Sequence, residues 1–356
     1  MTYLINFLLV PFYYVIIREV AGKNKCKKWF FLVVTIHAIL FRALANPYIY
    51  VDTEGYADAF RNISTMSLKE AILSPNYYTS WGVGYIFINW LISKFTLETT
   101  HMFIFMSVVS VGGVILYYYK SSYAYLTAVL FYLLYPMLYM MGFGVIRQHL
   151  SVMFILWALY YFDNLKISIP FFVASALCHT TGLIFLPFYF FKYISINKIT
   201  SVKYSIIILV SLFLLRSTII YVLPYLDRYE WAYYSDEGSN NSMPVVLIGS
   251  ILLFFFLTNT FKRITDQRDI NVVRFIAYGF IVSLFSIGVH GAGRLTICFL
   301  YTLPVAIGLP YKYGKKKVKQ EMNLYMVMLF ALTLFMVYHA LFKYQIYIFF
   351  WEGIKY

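Results

Sequence analysis

Long runs of apolar residues alternate with short polar stretches along the whole 356-residue chain. A helix needs about 20 residues, at about 1.5 Å each, to cross the hydrocarbon core of a bilayer. Several runs reach that length. The clearest runs are Tyr3 to Ile17, Trp29 to Ala45, Met102 to Tyr119, Tyr123 to Met141, Tyr204 to Leu223, Val245 to Leu257, Phe275 to Val289, Leu295 to Leu309 and Leu324 to Leu341. The pattern predicts an all-α, polytopic membrane helical bundle that forms one integral membrane domain over residues 1–356.

The composition agrees, because 62% of the residues are hydrophobic and only 12% are charged, against about a quarter charged in soluble domains. The formal net charge of +14 does not indicate a nucleic-acid binder, since the basic residues fall between the apolar runs. They form three clusters, at Lys23–Lys28, Lys262–Arg274 and Lys312–Lys319. Basic loops favour the cytoplasmic side. We therefore expect cytoplasmic clusters and membrane lipids as partners, with no nucleic acid.

Two loops of different composition are predicted on the outer side. Residues 46–80 mix acidic and basic side chains. Residues 225–243 are acidic and aromatic, and rings such as Trp231 can stack on sugars or form an interfacial belt.

The sequence alone does not decide how many times the chain crosses the membrane between these two loops. If every apolar run crosses once, Arg147 and Gln148 are cytoplasmic and His179 lies within a span. Alternatively, residues 85–95 only dip into the membrane and residues 170–191 form a hairpin broken near His179. Both sites then face outward, and Lys120 and Lys166 lie inside. We favour this version, since irregular backbone at membrane depth is allowed where it lines a cavity. It gives about 10 to 14 membrane segments, including re-entrant or half-spans.

Five arginines fall where a membrane protein normally avoids charge, in the outer half of the membrane or at its outer surface. A charge in hydrocarbon costs several kcal/mol and normally faces a polar cavity. The guanidinium group donates two parallel hydrogen bonds to phosphate oxygens. A phosphate-bearing lipid substrate would therefore explain why five arginines occur there. Alternatively, each arginine snorkels or pairs with a local carboxylate. The five are Arg42, Arg147, Arg216, Arg228 and Arg294.

Other polar residues are candidates for chemistry. His179 lies in ALCHTTGLIFLP, beside residues that can break a helix, and is either a packing residue or a general base. Asp52 either caps a helix or pairs in its loop, or it takes the proton of an acceptor hydroxyl or binds a sugar hydroxyl. His290 and Arg294 share a face if the HGAGR stretch is helical, although its glycines favour a break.

The sequence lacks the motifs of several common classes of enzyme and transporter. It has no P-loop, no GxSxG elbow, no HExxH motif and no Cys/His metal spacing. ATP-driven transport, serine hydrolysis and zinc proteolysis are therefore disfavoured, and no metal or cofactor is expected.

The order of these polar sites resembles the EpsG family of exopolysaccharide proteins and the related Wzy-type O-antigen polymerases. The matching segments run from about residue 30 to residue 309. They are the Arg42 end of the second run, Asp52-x-x-x-Tyr56, YTSWGVGY, VIRQHLSVMFILWALYYF with Arg147 and Gln148, and FFVASALCHTTGLIFLPFYFF with His179. The spacing from Arg42 to Asp52 is longer than the family pattern suggests.

This resemblance implies a bacterial inner-membrane glycosyltransferase that joins oligosaccharide repeat units carried on undecaprenyl pyrophosphate. A chain-length regulator is a candidate further partner. We expect Arg147 and Arg294, with Arg216 or Arg228, to stabilise the departing pyrophosphate, and His179 or Asp52 to take the acceptor proton. A lipid-linked sugar flippase or transporter, or a polysaccharide ligase, remains an alternative.

Overall fold

The computed structural model describes residues 2–44, 52–73, 81–135, 138–139, 141–191, 242–286 and 293–327, and these ranges contain helices and no strand. The chain forms two compact units. Unit 1 is Met1–Leu183 with Asn323–Tyr356, and unit 2 is Ile184–Met322.

The helices of unit 1 are α1 (Thr2–Ala43), α2 (Thr53–Ser64), α3 (Leu68–Leu73), α4 (Val83–Ser93), α5 (Thr99–Ser121), α6 (Tyr125–Leu134), α7 (Met141–Gly144), α8 (Ile146–Tyr160) and α9 (Leu165–Cys178). Those of unit 2 are α10 (Phe188–Phe191), α11 (Ser242–Leu257), α12 (Gln267–Ser286), α13 (Gly293–Leu300), α14 (Leu303–Ala306) and α15 (Leu309–Tyr313). Short 3-10 helices occupy Thr180–Phe185 and Thr260–Arg263.

Full spans and shorter helices occur together. Within the described ranges, three segments are long and apolar enough to cross a membrane, namely α5, α12 and Arg294–Tyr313. Helices α4 and α6, of 11 and 10 residues, are apolar but reach only about half of the hydrocarbon thickness. The prediction of an all-α membrane bundle that includes half-spans is confirmed. Whether the whole chain forms one domain stays a prediction.

Helix α1 consists of two antiparallel arms that meet at Gly22. This glycine has φ 71° and ψ 162°, a conformation that a residue with a Cβ rarely adopts, and it interrupts the helix. The Tyr14 ring packs on Phe30, and the Tyr13 hydroxyl bonds Nδ1 of His37 at 3.0 Å. The first lysine cluster therefore lies at the turn between two membrane arms, as the sequence predicts.

The second arm of α1 packs antiparallel to α5. Lys27 and Lys120 lie over the same Tyr119 ring, and farther along the arms Ile39 lies opposite Gly112. We call the end of unit 1 that carries Lys27 and Lys120 the lysine end. The cytoplasmic side that the positive-inside tendency favours for this end stays a prediction. This position of Lys120 agrees with the version in which residues 85–95 only dip into the membrane.

Helix α6 runs away from the lysine end, and helix α8 runs back toward it. Tyr125, at the start of α6, packs on Phe31, whereas Tyr139, beyond its end, donates to the carbonyl of Ala38 at 2.5 Å. The predicted continuous run from Tyr123 to Met141 is wrong, because α6 ends at Leu134, two residues before Pro136. Proline disfavours helical backbone in the residue before it.

Helix α9 packs antiparallel to α8, with Ser175 bonding Ser151 near one end and Ser168 bonding the carbonyl of Ala158 near the other. It starts at Leu165 and ends at Cys178, and His179 has extended backbone with φ −159° and ψ 140°. The helix therefore breaks at the predicted residue.

Helices α2 and α3 pack against α4. The start of α3 is a capping box, in which the Ser67 N–H donates to Glu70 Oε2 at 2.8 Å and the Glu70 N–H donates to Ser67 Oγ at 3.2 Å. The bond from Ser67 lowers the pKa of the exposed Glu70 carboxyl.

In unit 2, α12 packs between α11 and α13 around a core of rings that includes Phe185, Phe275 and Phe299. Lys312 pairs with Asp269 at 2.7 Å, so the second and third basic clusters lie at the same end of this unit. Arg268 and Arg274, predicted between spans, lie within α12, because this helix begins at Gln267, directly after Asp266. The Asp266 carboxylate accepts from the N–H of Arg268 at 2.9 Å.

Candidate functional site

A buried arginine lies at the meeting point of four helices in unit 1. Arg42, in the last turn of α1, is 6% exposed. Its guanidinium donates to the Ser110 hydroxyl of α5 at 3.0 Å, to Nδ1 of His149 in α8 at 3.1 Å and to the carbonyl of Gly142 in α7. It also lies over the Phe143 ring, 5.6 Å from its centroid. One cation thus binds groups from three other helices.

These contacts fix the tautomer of His149. Arginine only donates, so Nδ1 accepts and the ring proton sits on Nε2. Nε2 lies 3.2 Å from the Tyr132 hydroxyl, which accepts from it. His149 is 2% exposed and is held as a neutral imidazole. We call Arg42, Ser110, Tyr132, Gly142 and His149 the buried network.

The buried network lies beside the middle of α5, a helix long and apolar enough to cross a membrane. Ser110 is the middle residue of α5, whose 23 residues extend about 35 Å. A cation at that depth is costly unless polar groups replace its water. Hydroxyl, imidazole and carbonyl groups do so for Arg42, which makes it a residue that holds the fold.

Arg147 has different surroundings. It is the second residue of α8, two positions before His149, and its side chain is half-buried. The guanidinium carbon lies 4.5 Å from the centroid of the Trp81 ring and 5.8 Å from that of Tyr56. Nε is shielded from solvent and has no hydrogen-bond partner among the residues that the structure describes. The described residues therefore leave one donor of this guanidinium unsatisfied.

Trp81, Tyr56 and Arg147 form a compact group that we call the arginine–aromatic cluster. The Trp81 and Tyr56 rings lie 5.2 Å apart at 64°. Tyr56 lies on α2, Trp81 lies two residues before α4, and Arg147 lies in the first turn of α8, so three helices position the cluster. Burial raises the pKa of the Tyr56 phenol, although Arg147 opposes this, so the hydroxyl stays protonated at neutral pH.

Asp52 lies at the edge of this cluster. It precedes α2 with φ 69°, a left-handed conformation that is uncommon outside glycine, and its exposed side chain makes no capping hydrogen bond. Its negative charge reaches Tyr56 and raises the pKa of that phenol. A carboxylate is thus held near the cluster in a strained backbone position.

His179 is close to the cluster in the fold. Gly82, which follows Trp81, packs so tightly on the carbonyls of Leu177 and Cys178 that a Cβ there would overlap them. His179 follows directly and is half-buried. Its Nδ1 lies 3.1 Å from the Thr181 N–H and 2.9 Å from the Thr181 hydroxyl. Because the N–H only donates, Nδ1 accepts and the neutral ring carries its proton on Nε2.

The other predicted site residues are spread more widely. Gln148 is 2% exposed on α8, and Arg294 is exposed on α13 of unit 2. Four predicted residues lie outside the described ranges, namely Arg216, Arg228, Trp231 and His290. Within those ranges no group of three His, Cys, Asp or Glu side chains could hold a metal ion.

Two residues of this region are missing from the sequence-based prediction. Trp81 lies in the YTSWGVGY segment that carries the resemblance, and a tryptophan before two glycines was an available signal. His149 lies two residues after Arg147 at the start of a half-span. Its partner Arg42 is 107 positions away, and the sequence gives no sign of that pairing.

The model of the EpsG family matches residues 28–352. Comparison with curated proteins and with solved structures gives no significant match. The matched range covers most of the chain and includes both the buried network and the arginine–aromatic cluster. Membership suggests a polysaccharide-polymerase-like role of the glycosyltransferase kind, and the finer likeness to Wzy-type polymerases stays a prediction. This helical membrane protein therefore belongs to the EpsG family.

Proposed function

We propose that this protein lengthens O-antigen or exopolysaccharide chains from repeat units carried on undecaprenyl pyrophosphate. It would do so at the outer face of the bacterial inner membrane. The observation that carries the proposal is Arg147, whose guanidinium lies over the rings of Trp81 and Tyr56 and whose Nε has no hydrogen-bond partner among the described residues.

The reaction needs one bond made and one broken. A hydroxyl oxygen of the fresh repeat unit attacks the anomeric carbon of the growing chain, and the bond from that carbon to the pyrophosphate oxygen breaks. Undecaprenyl pyrophosphate leaves with the bonding electrons, and the hydroxyl proton passes to a base. Negative charge grows on the pyrophosphate, where a preorganised cation helps most.

The arginine–aromatic cluster suits the donor side of this reaction. The Arg147 guanidinium is always charged, and its N–H groups bind phosphate oxygens. The rings of Trp81 and Tyr56 hold the guanidinium by cation–π attraction and fix its direction. Arg294, Arg216 and Arg228 stay proposed further ligands.

Asp52 suits the acceptor side. It is an exposed carboxylate near Tyr56, and a carboxylate can take a hydroxyl proton directly. His179 has no ring nitrogen free to take a proton, because its Nδ1 already accepts from the Thr181 N–H. In the neutral ring Nε2 carries a proton, so we assign His179 a hydrogen bond to a phosphate or sugar oxygen and Asp52 the role of base.

The test uses purified protein in nanodiscs with lipid-linked repeat units and measures product length on gels. Arg147→Gln is expected to lower the turnover number by about 100-fold or more, the usual loss when a cationic stabiliser of a leaving group is removed. Trp81→Leu should weaken the activity less, since Arg147 keeps its charge but loses its platform. Arg61→Gln is the matched control, because Arg61 is an exposed arginine of α2 paired with Asp58. It should behave like the natural protein.

The outcomes separate the rival functions. Lengthening by the natural protein that Arg147→Gln removes supports the polymerase. Movement of repeat units between leaflets without lengthening would identify a flippase, and transfer of finished polysaccharide to another acceptor would identify a ligase. Full activity of Arg147→Gln would remove Arg147 from the mechanism. A chain-length regulator stays a proposed partner, and adding one should change only the distribution of product lengths.

A further inference from the structure

Two lysines share one aromatic ring at the lysine end of unit 1. Nζ of Lys27 lies 5.2 Å from the centroid of the Tyr119 ring, and Nζ of Lys120 lies 5.8 Å from the same centroid. Lys27 is also 5.9 Å from the centroid of the Tyr125 ring. Each ring attracts an ammonium group, but two ammonium groups around one ring repel each other.

No carboxylate of the described residues forms an ion pair with either lysine. Lys27 is half-buried, and burial lowers its pKa, with the charge of Lys120 lowering it further. A partly desolvated cation beside a second cation is unfavourable, and an anion held between them relieves both costs.

Two hydroxyl groups that directly follow Lys120 in the chain have no hydrogen-bond partner among the described residues. They are the buried side-chain oxygens of Ser121 and Ser122. Ser122 is only 4% exposed. Buried hydroxyls are normally hydrogen-bonded. The two lysines and two serines together match a ligand with negative charge and several acceptor oxygens, which is the chemistry of a phosphate group.

Exposed aromatic side chains show where this site lies. Trp29 is 45% exposed, two residues after Lys27, and Tyr123 is 58% exposed, three residues after Lys120. Exposed Trp and Tyr beside lysines are typical of the boundary between membrane and water. At that depth the phosphate groups belong to the phospholipids of the cytoplasmic leaflet. We propose that Lys27, Lys120, Ser121 and Ser122 bind the phosphate of an anionic phospholipid headgroup.

The test measures phosphatidylglycerol binding by native mass spectrometry of the full-length protein in a neutral detergent. Lys27→Gln and Lys120→Gln together should weaken binding by about fivefold for each lysine removed. Lys23→Gln with Lys25→Gln is the control, because it removes the same charge from exposed positions of the first basic cluster. This control should keep the affinity within about twofold. Ser121→Ala with Ser122→Ala should weaken binding without any change of charge.

A second measurement guards against a double variant that fails to fold. Lys120 is exposed, so Lys120→Gln alone should fold. In nanodiscs of phosphatidylcholine its thermal midpoint should rise, because the repulsion on Lys27 is gone. Phosphatidylglycerol should raise that midpoint less than it raises the midpoint of the natural protein. Equal weakening by the control pair would overturn the proposal in favour of diffuse attraction. Equal stabilisation by inorganic phosphate in phosphatidylcholine would show a site for free phosphate.

Discussion

Arg42 and Arg147 lie in the same half of unit 1 at similar depth, yet their surroundings are opposite. Arg42 is 6% exposed and donates to a hydroxyl, an imidazole and a carbonyl. Arg147 is half-buried, lies over two aromatic rings and keeps an unpaired Nε. Both residues satisfy the rule that charge inside a membrane faces protein. The comparison shows that the rule identifies important arginines but does not say which ones hold the fold and which bind a ligand.

The hydrogen-bond partners of each arginine distinguish a role in the fold from a role in binding. A guanidinium whose donors reach side chains of its own fold has replaced its lost water, and its removal leaves those side chains unpaired. A guanidinium held mainly by ring faces is fixed in direction and uses few of its donors, because cation–π contacts do not need them. Arg147 shares one side-chain hydrogen bond with Tyr56, and its Nε has no partner among the described residues. We therefore expect variants of Arg42 to lose stability and variants of Arg147 to lose activity.

The largest expected effect on stability follows from Arg42→Met. Methionine fills part of the space but leaves Ser110, His149 and the Gly142 carbonyl without their donor in a buried site. The free energy of unfolding should fall by about 3 to 5 kcal/mol, because three buried acceptors lose a hydrogen bond from a charged donor at about 1 to 3 kcal/mol each, partly offset by the desolvation cost that the arginine no longer bears. Unfolding in mixed micelles with denaturing detergent measures it. Arg147→Met in the same assay should lose only about 1 kcal/mol, the value of an exposed or half-buried cation–π contact. Equal losses in the two variants would erase the distinction.

These same residues show how much of the structure can be predicted from the sequence. The apolar runs and lysine clusters predict the membrane helices and their orientation, because run length and loop charge are local properties. The break at His179 was likewise predictable from Gly182 and Pro187. The pairing of Arg42 with His149 was not, since it joins helices that are 107 positions apart. The end of α6 at Leu134 was missed although Pro136 is a local signal for it, because the apolar run continues beyond the proline up to Met141.

For the site residues too, the sequence predicts some properties and only the fold reveals the others. Arg147, Tyr56 and Asp52 were predictable as a set, because each lies in a segment that resembles the EpsG family. Their roles depend on contacts that only the fold provides, such as the Trp81 ring beneath Arg147 and the Thr181 N–H on His179. A polar residue in an apolar run is visible in the sequence, but whether its hydrogen bonds are already satisfied is not.

A smaller effect is expected from His149→Phe, which tests whether His149 belongs with Arg42 or with Arg147. Phenylalanine keeps a flat ring beside Tyr132 but removes the acceptor for Arg42, so the free energy of unfolding should fall by about 1 to 3 kcal/mol. His149→Asn should lose less, because its side-chain oxygen can stand near the position of Nδ1. The KM for the lipid-linked donor should stay unchanged in both. A raised KM with unchanged stability would place His149 in the binding site instead.

The smallest expected effect on stability is that of Asp52 variants, which distinguish backbone strain at this residue from a role of its carboxylate in the reaction. Glycine adopts φ 69° without a steric cost, whereas aspartate pays a part of the 1 to 2 kcal/mol that left-handed backbone costs residues with a Cβ. Asp52→Gly should therefore raise the free energy of unfolding by less than about 1 kcal/mol, since glycine also gains entropy in the unfolded chain. Asn tolerates this conformation, so Asp52→Asn should leave stability unchanged. If Asp52 is the base, both variants lose chain lengthening, although neither is less stable. Retained lengthening in Asp52→Asn would show that the strained backbone serves only to start α2 beside the cluster.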